Sequence, residues 1–352
     1  MKATPVLVSL CVLALSACAG TAPASPSASA TSKPAGSVAP AASSTSAGKP
    51  AGSAAASGLT PVKVAFSQVT AGSAPTYVAM DQGFFAKHGL DVSIVQVAGP
   101  QEVPALTADD IQIGAVGGNE LVDADLAGAS LVMVASSSNY PLFSLNAAKS
   151  IAEPKQLAGK TIGITSAGSS SEAVAKIFLH HFGLDGQAKL QPSGQIQAVL
   201  AGLENGTLTS AVLSPPSTEL AAKQGFPELI NGPTLGEPMV HGGMAVTRDY
   251  LKAHPDIVKE ALQGYLEGWQ FLADPANEAA SVQSLVKWTK TDQNVAEESY
   301  KYIYPVWSGS KTPRIDPKAI ANILDVVSTN PKAKSAKPED FIANSILNSI
   351  AK

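Results

Sequence analysis

Cysteine is nearly absent: the 352 residues contain two, Cys11 and Cys18, both close to the start. Beyond them there is no thiol pair, no CxxC motif and no disulfide framework. Basic charge is scarce too. Lys and Arg number 24 against 28 Asp and Glu, a net charge of −4, and the lysines are scattered. No basic stripe is available for a phosphate backbone, which excludes nucleic acid as a partner. The five histidines do not fall at metal spacing. His180 and His181 are adjacent on one helical pattern and point about 100° apart, whereas two histidines sharing a metal on a helix stand four residues apart. His88 and His254 fall at helix boundaries, and only His241 lies where a ligand contact or a structural role is equally open. Asp109-Asp110 and Glu297-Glu298 are chain neighbours rather than facing carboxylates, so no acid–base pair is expected. Neither a metal nor a cofactor is implied. After the leader no apolar run reaches the length of a membrane span.

What is present begins with a processing signal. Lys2, the apolar stretch Val6 to Leu15 and the small residues before Cys18 read as a secretory leader over residues 1–17. The ending Leu15-Ser16-Ala17-Cys18 resembles the bacterial lipobox, which would make Cys18 the lipidated first residue. Losing Lys2 takes the net charge to −5. After Cys18, residues 19–58 are Ala, Ser, Gly, Pro and Thr with Lys33, Lys49 and Val38 and no aromatic, a composition that cannot bury enough apolar surface to offset its ordering entropy. We expect a disordered tether of about 30 to 40 Å between membrane and folded part. The remainder is long enough for two compact lobes, and a monomer is expected.

The stretch Val62 to Val97 organises that remainder. Val62, Val64 and Phe66 alternate as a strand does, and Tyr77, Met80 and Phe84 recur at helix spacing. Gly89 stops the helix and a second apolar run follows. A strand, helix and parallel strand place the loop Ser67 to Ser73 at a carboxyl strand end, where open α/β sheets bind ligands. The same arrangement returns at Ile111 to Val116 before Gly117, Gly118, Asn119 and Glu120, and at Leu131 to Ala135 before Ser136, Ser138 and Tyr140. Ordinary turns use the same residues for conformational reasons, but three in one topological place suggest a site. From Ile151 the pattern restarts. Thr161 to Ile164 reads as a strand, and Ser169 with Glu172 forms a capping box for the next helix. The loop with Ser166, Gly168, Ser169 and Ser170 thus offers free backbone N–H groups and a positive dipole end. It lacks the lysine of a nucleotide-binding loop. A further strand, Ala211 to Leu213, runs into Ser214-Pro215-Pro216-Ser217, and from Asp249 onward the pattern is helical.

Successive segments then resemble a known family. They are PTYVAMDQGFFAKHGLDVSIV, IQIGAVGGNELVDADLAGASLVMVAS, LAGKTIGITSAGSSSEAVAKIFLHHFGLD, AVLAGLENGTLTSAVLSPP and HPDIVKEALQGYLEGWQFL. Together, from Val62 to about Leu272, they are similar to bacterial ABC-transporter substrate-binding proteins of the nitrate, sulfonate, taurine and thiamine-pyrimidine-precursor group. The resemblance implies a two-lobed, periplasmic-binding-protein-like type II α/β fold, each lobe a mixed sheet flanked by helices, with a solute in the cleft. It places lobe 1 at 60–145 and 245–352, lobe 2 at 146–244, and crossing strands near Phe143 to Ala147 and Met239 to Val246. The family's cleft loops correspond here to Ser67, Gln68, Thr70, Ser73 and Tyr77, to Gly118, Asn119 and Glu120, and to Ser136, Ser138 and Tyr140. In the second lobe they correspond to Ser166, Gly168, Ser169 and Ser170 and to Ser214 and Pro215, with His241 near a crossing.

The resemblance implies capture of a small solute by lobe closure and delivery to a membrane permease driven by a separate ATPase. None of these loops carries Arg or Lys, unlike the anion-binding members. An anionic solute would be held by hydroxyls and helix N-termini alone, whereas a neutral or cationic one could be oriented by Glu120 and packed against Tyr77 or Tyr140. A receptor that reports occupancy to a membrane sensor has the same sequence requirements. A secreted enzyme on this fold is the third alternative, disfavoured because the related pyrimidine-forming enzymes have a cysteine-rich active segment.

Overall fold

The computed structural model describes residues 58–97 and 99–351. The expected leader, Cys18 and residues 18–57 of the tether lie outside the described residues. Within them no helix is long and apolar enough to cross a membrane.

Strand β1 (Thr60–Phe66) buries Val62, Val64 and Phe66 and exposes Lys63 between them, as its alternation requires. A 3-10 turn (Ala71–Ser73) leads into α1 (Ala74–Asp81). The helix that the sequence predicts through Phe85 is two pieces. Gly83, at φ +72°, reverses the backbone after α1, and α2 (Phe84–Lys87) starts there. β2 (Leu90–Gln96) then pairs in parallel with β1, from Thr60 opposite Leu90 to Phe66 opposite Gln96. α3 (Gly99–Thr107), β3 (Ile113–Val116), α4 (Gly118–Leu126) and β4 (Leu131–Ser138) follow.

The chain now changes sheet. β5 (Ser144–Ala147), β6 (Thr161–Ile164), α5 (Ser170–His181), β7 (Lys189–Pro192) and α6 (Ile196–Glu204) build the second lobe. β8 (Ser210–Leu213), α7 (Ser217–Lys223), β9 (Glu228–Asn231) and α8 (Gly232–Leu235) complete it. β10 (Gly242–Thr247) returns to the first sheet. The orders are β2-β1-β3-β10-β4 and β7-β6-β8-β5-β9. β10 runs antiparallel to β3 and β4, and β5 antiparallel to β8 and β9. Both segments expected to cross between lobes are therefore paired on two sides within a sheet. The passages between sheets are the stretches on either side of them, 139–143 and 232–241, because a strand can satisfy both rows of backbone groups only inside a sheet.

The remaining helices cover the first lobe. They are α9 (Arg248–Ala253), α10 (Pro255–Ala273), α11 (Glu278–Thr289), α12 (Gln293–Gly309), α13 (Pro317–Asn322), with a π turn Ile323–Val327 after it, and α14 (Asn344–Ile350). α10 lies on α1 and α2 and buries Leu262, Tyr265 and Trp269, each contributing about 1.5 to 3 kcal/mol of apolar burial. Asp81, at the end of α1, accepts hydrogen bonds from Ser284, Lys287 and Trp288 and so pins α1 to α11.

Candidate functional site

The loops at the carboxyl ends of β1, β3, β6 and β8 enclose a cavity of about 240 Å³ between the two sheets. Its first-lobe wall holds Ser67, Gln68, Thr70, Ser73 and Thr76, with Gly117 and Glu120 beside them. The second lobe supplies Thr165, Ser166, Ser169, Ser170 and Ser171, then Gln195 and Ser214. Phe66, Phe143, Met244 and Tyr265 form apolar walls. Apolar surface around a few converging polar groups is the usual character of a small-molecule site.

The lobes touch around this cavity. Asn119 Nδ2 donates to the Gly168 carbonyl at 2.8 Å, and the Ala71 N–H donates to the Pro215 carbonyl at 3.1 Å. Gly117 approaches α5 so closely that a Cβ on it would stand 2.1 Å from Ser170 Oγ. Most hydroxyls on the α5 loop are committed locally. Ser169 accepts from the Glu172 N–H as the helix N-cap and donates to the Ser166 carbonyl, while Thr165 and Ser171 bond to each other. The Glu172 carboxylate closes the turn through the Gly168 N–H, one residue earlier than the capping box predicts.

Two titratable groups face the cavity. Burial pushes His241 down to about 4, so its ring is neutral. Its Nδ1 accepts from the Leu142 N–H at 3.2 Å, which puts the proton on Nε2. No serine hydroxyl among the described residues hydrogen-bonds to that ring, so no nucleophile–base pair is assembled. Glu120 is raised by burial, an effect partly offset by the Gly117 and Ser170 backbone N–H groups. Behind it Glu102 is 1% exposed, and burial first, then the nearby Glu120, pushes it up to about 8. The described residues hold no cluster with the makings of a metal site.

Ten of the sequence-predicted residues come together on the cavity: Ser67, Gln68, Thr70, Ser73, Glu120, Ser166, Ser169, Ser170, Ser214 and His241. The others take different places. Tyr77 is buried with its ring stacked on Trp288, centroids 5.2 Å apart. Gly118 packs under Val240, and Asn119 and Gly168 form the interlobe hydrogen bond. Ser136 bonds to the Pro313 and Arg314 carbonyls, Ser138 to the Tyr140 carbonyl, and Tyr140 is exposed. Pro215 presents its carbonyl to Ala71 rather than its ring to the cavity. Two unpredicted polar residues also line the cavity: Ser137, which lies between two expected ones, and Gln195, which follows Gly194 at a strand end as the expected loops do. Phe143 and Tyr265 carried no local signal, since a lone aromatic reads as core. Three of the other histidines pair with acids, His88 with Glu267, His180 with Asp185 and His181 with Glu237, and His254 packs on the Tyr250 ring with centroids 4.7 Å apart.

The family model described as "NMT1/THI5 like" matches residues 70–279. No curated protein sequence matches the chain. Solved structures share the fold. A Bordetella bronchiseptica protein is 17% identical with a TM-score of 0.72, over 82% of this chain and 96% of that one. The alkanesulfonate-binding protein SsuA of Xanthomonas axonopodis pv. citri, bound to MOPS, is 18% identical with a TM-score of 0.64, over 82% and 97%. The periplasmic nitrate-binding protein NrtA of Synechocystis is 14% identical with a TM-score of 0.67, over 83% and 88%. The architecture is the two-lobed periplasmic-binding-protein fold. The DszB C27S mutant in complex with biphenyl-2-sulfinic acid shares the fold too, at 13% identity with a TM-score of 0.60, over 82% of this chain and 98% of that one.

Proposed function

The chain belongs to the NMT1/THI5-like family, and from that premise we propose that it is an extracytoplasmic solute-binding lipoprotein. It captures a small organic solute by lobe closure and presents it to an ABC permease served by a separate ATPase. The observation that carries this reading is the cavity itself, enclosed by strand-end loops of both sheets and bounded by an interlobe hydrogen bond between Asn119 and Gly168. A solute that touches both walls binds the closed arrangement better than an open one, and that differential affinity drives closure. Binding rather than catalysis is favoured by the His241 ring, which is spent on a backbone N–H and has no serine partner.

Attachment to the membrane through Cys18 belongs to the same proposal. So do the monomeric state and the placement of residues 60–145 and 245–352 in one lobe and 146–244 in the other. The test is a thermal-shift screen of the purified full-length chain against sulfonates, nitrate, bicarbonate, amines, pyrimidines and aromatic acids. A ligand at 100 times its dissociation constant adds about 2.7 kcal/mol of stability. The expected result is a shift by one chemical class that is lost in Ser170→Leu, which fills the cavity from the α5 side. No shift by any class refutes solute capture, and a shift that Ser170→Leu leaves unchanged moves the binding elsewhere.

A further inference from the structure

The geometry points to a solute whose recognised group is a positively charged nitrogen, an amine or amidinium on a small apolar body, with Glu120 as the residue that selects it. This rests on the solute-capture reading above and names the chemistry of the same site.

Glu120 is the only acidic side chain among the described residues that line the cavity, and no Lys or Arg is among them. His241 beside it is neutral. Burial holds this carboxyl toward its neutral form, so it offers an anion no attraction, whereas a cation beside it in a space screened from water favours its ionised form and pairs with it more strongly than at the surface. Glu102, pushed up to about 8 and so mainly protonated at neutral pH, lies behind it. It is 1% exposed, neither of its oxygens has a hydrogen-bond partner, and no cation offsets it. An anionic solute would therefore enter a region that already holds two carboxyl groups and no lysine or arginine.

The place where an anion would ordinarily be held is also taken. The N-terminus of α5 carries free backbone N–H groups and the positive end of a twelve-residue helix dipole. Glu120 stands beside this N-terminus, where the Ser170 backbone N–H partly offsets the effect of burial on its carboxyl, and its Oε2 accepts from the Gly117 N–H at 3.1 Å. The protein's own carboxylate thus sits where a sulfonate or carboxylate of a solute would go. Among the described residues no side chain donates to Glu120, so its remaining acceptor capacity is available to a donor in the cavity. The rings of Phe66, Phe143 and Tyr265 line the same space and suit the face of a cation or the apolar body behind it. The volume of about 240 Å³ equals roughly eight waters of liquid, room for one ring and a small head group.

The test is titration calorimetry of the full-length chain with three probes of one shape: benzamidine, benzamide and benzenesulfonate. Benzamidine is expected to bind at least tenfold tighter than benzamide, with benzenesulfonate the weakest. Glu120→Gln keeps an acceptor for the Gly117 N–H and removes the group that can ionise against a cation. It should lower benzamidine affinity at least tenfold and narrow the gap to benzenesulfonate. Asp256→Asn, which removes an exposed charge at the start of α10 outside the cavity lining, should leave the order of the three unchanged. Benzenesulfonate binding tighter than benzamidine in the wild type overturns the inference. So does a benzamidine affinity that is the same in a folded Glu120→Gln. Should that variant fail to fold, the wild-type order still decides. Binding of anionic or neutral solutes in the broader screen without any amine refutes this inference and leaves solute capture standing. Silence across both experiments refutes both.

Discussion

A methyl group on Gly117 is expected to block closure without harming the fold. Gly117 has φ −64° and ψ 146°, a conformation open to any residue, so alanine there strains no backbone. Its Cβ would stand 2.1 Å from Ser170 Oγ and 3.1 Å from Glu120 Oε2. The contact with Ser170 belongs to the other lobe, and it exists only when the lobes meet. Two escapes are available. Ser170 can leave its preferred rotamer, at about 0.5 to 1.5 kcal/mol. Alternatively the lobes can stand apart by roughly 1 Å, which stretches the Asn119–Gly168 hydrogen bond, worth about 1 kcal/mol net, and loosens packing worth about 1 to 3 kcal/mol. Closure therefore loses about 1 to 3 kcal/mol, and since about 1.4 kcal/mol is tenfold, solute affinity in Gly117→Ala should fall about 5- to 150-fold. Calorimetry with the solute found by the thermal-shift screen measures this, beside melting of the ligand-free protein, which should be unchanged. Adding Ser170→Gly removes the clashing atom and should restore affinity. A folded Gly117→Ala with wild-type affinity would refute the interlobe contact. A loss that Ser170→Gly does not repair would place the damage somewhere other than closure.

Glu219, buried on α7 against α12 near Ser299 and Tyr302, is pushed up to about 7 by desolvation above all. A carboxyl whose folded value exceeds its unfolded one contributes most at low pH and loses that contribution as pH rises through about 5 to 7, so denaturant titrations should show stability declining across that window. The decline attributable to this group has a ceiling of about 3 kcal/mol, and Glu219→Gln should remove it; an unchanged profile would contradict the burial of that carboxyl. His241 works in the opposite sense: buried neutral with a value near 4, it costs stability as pH falls from about 6.5 to 4, and His241→Gln should flatten the acid limb. Asp81→Ala leaves the Ser284 hydroxyl and Trp288 N–H without their acceptor; unfolding free energy should fall by about 2 to 3 kcal/mol with solute affinity unchanged, and a selective loss of affinity would instead tie α1 to the site. Cys18→Ser should move the protein from the membrane to the soluble fraction on fractionation, and continued membrane association would refute the lipid anchor.

Much of the site was legible because local physics fixes it. The alternation of Val62, Val64 and Phe66 ahead of a polar loop predicts a strand ending in a ligand loop, and Ser169 at the head of an apolar helix face predicts its own cap. The parity of β4 was not legible. All eight of its residues are buried, so the sequence has no polar face to announce which way each serine points. The strand-end pattern points to Ser136 and Ser138, while the cavity receives Ser137, because a one-residue step in a strand reverses the face.

The sequence alone determined the βα order, the polar character of the strand ends, the helical cover and the scarcity of basic charge, since each depends on neighbours a few residues apart. Only the tertiary structure decided that β10 inserts between β3 and β4, bringing Gly242 to Met244 and His241 to the cavity. It likewise decided that Tyr77 stacks on Trp288, 211 residues away, instead of meeting a solute, and that Glu120 lies against the N-terminus of α5 from the opposite lobe. These are contacts between segments far apart in the chain, and their energy comes from packing and burial that no local pattern encodes.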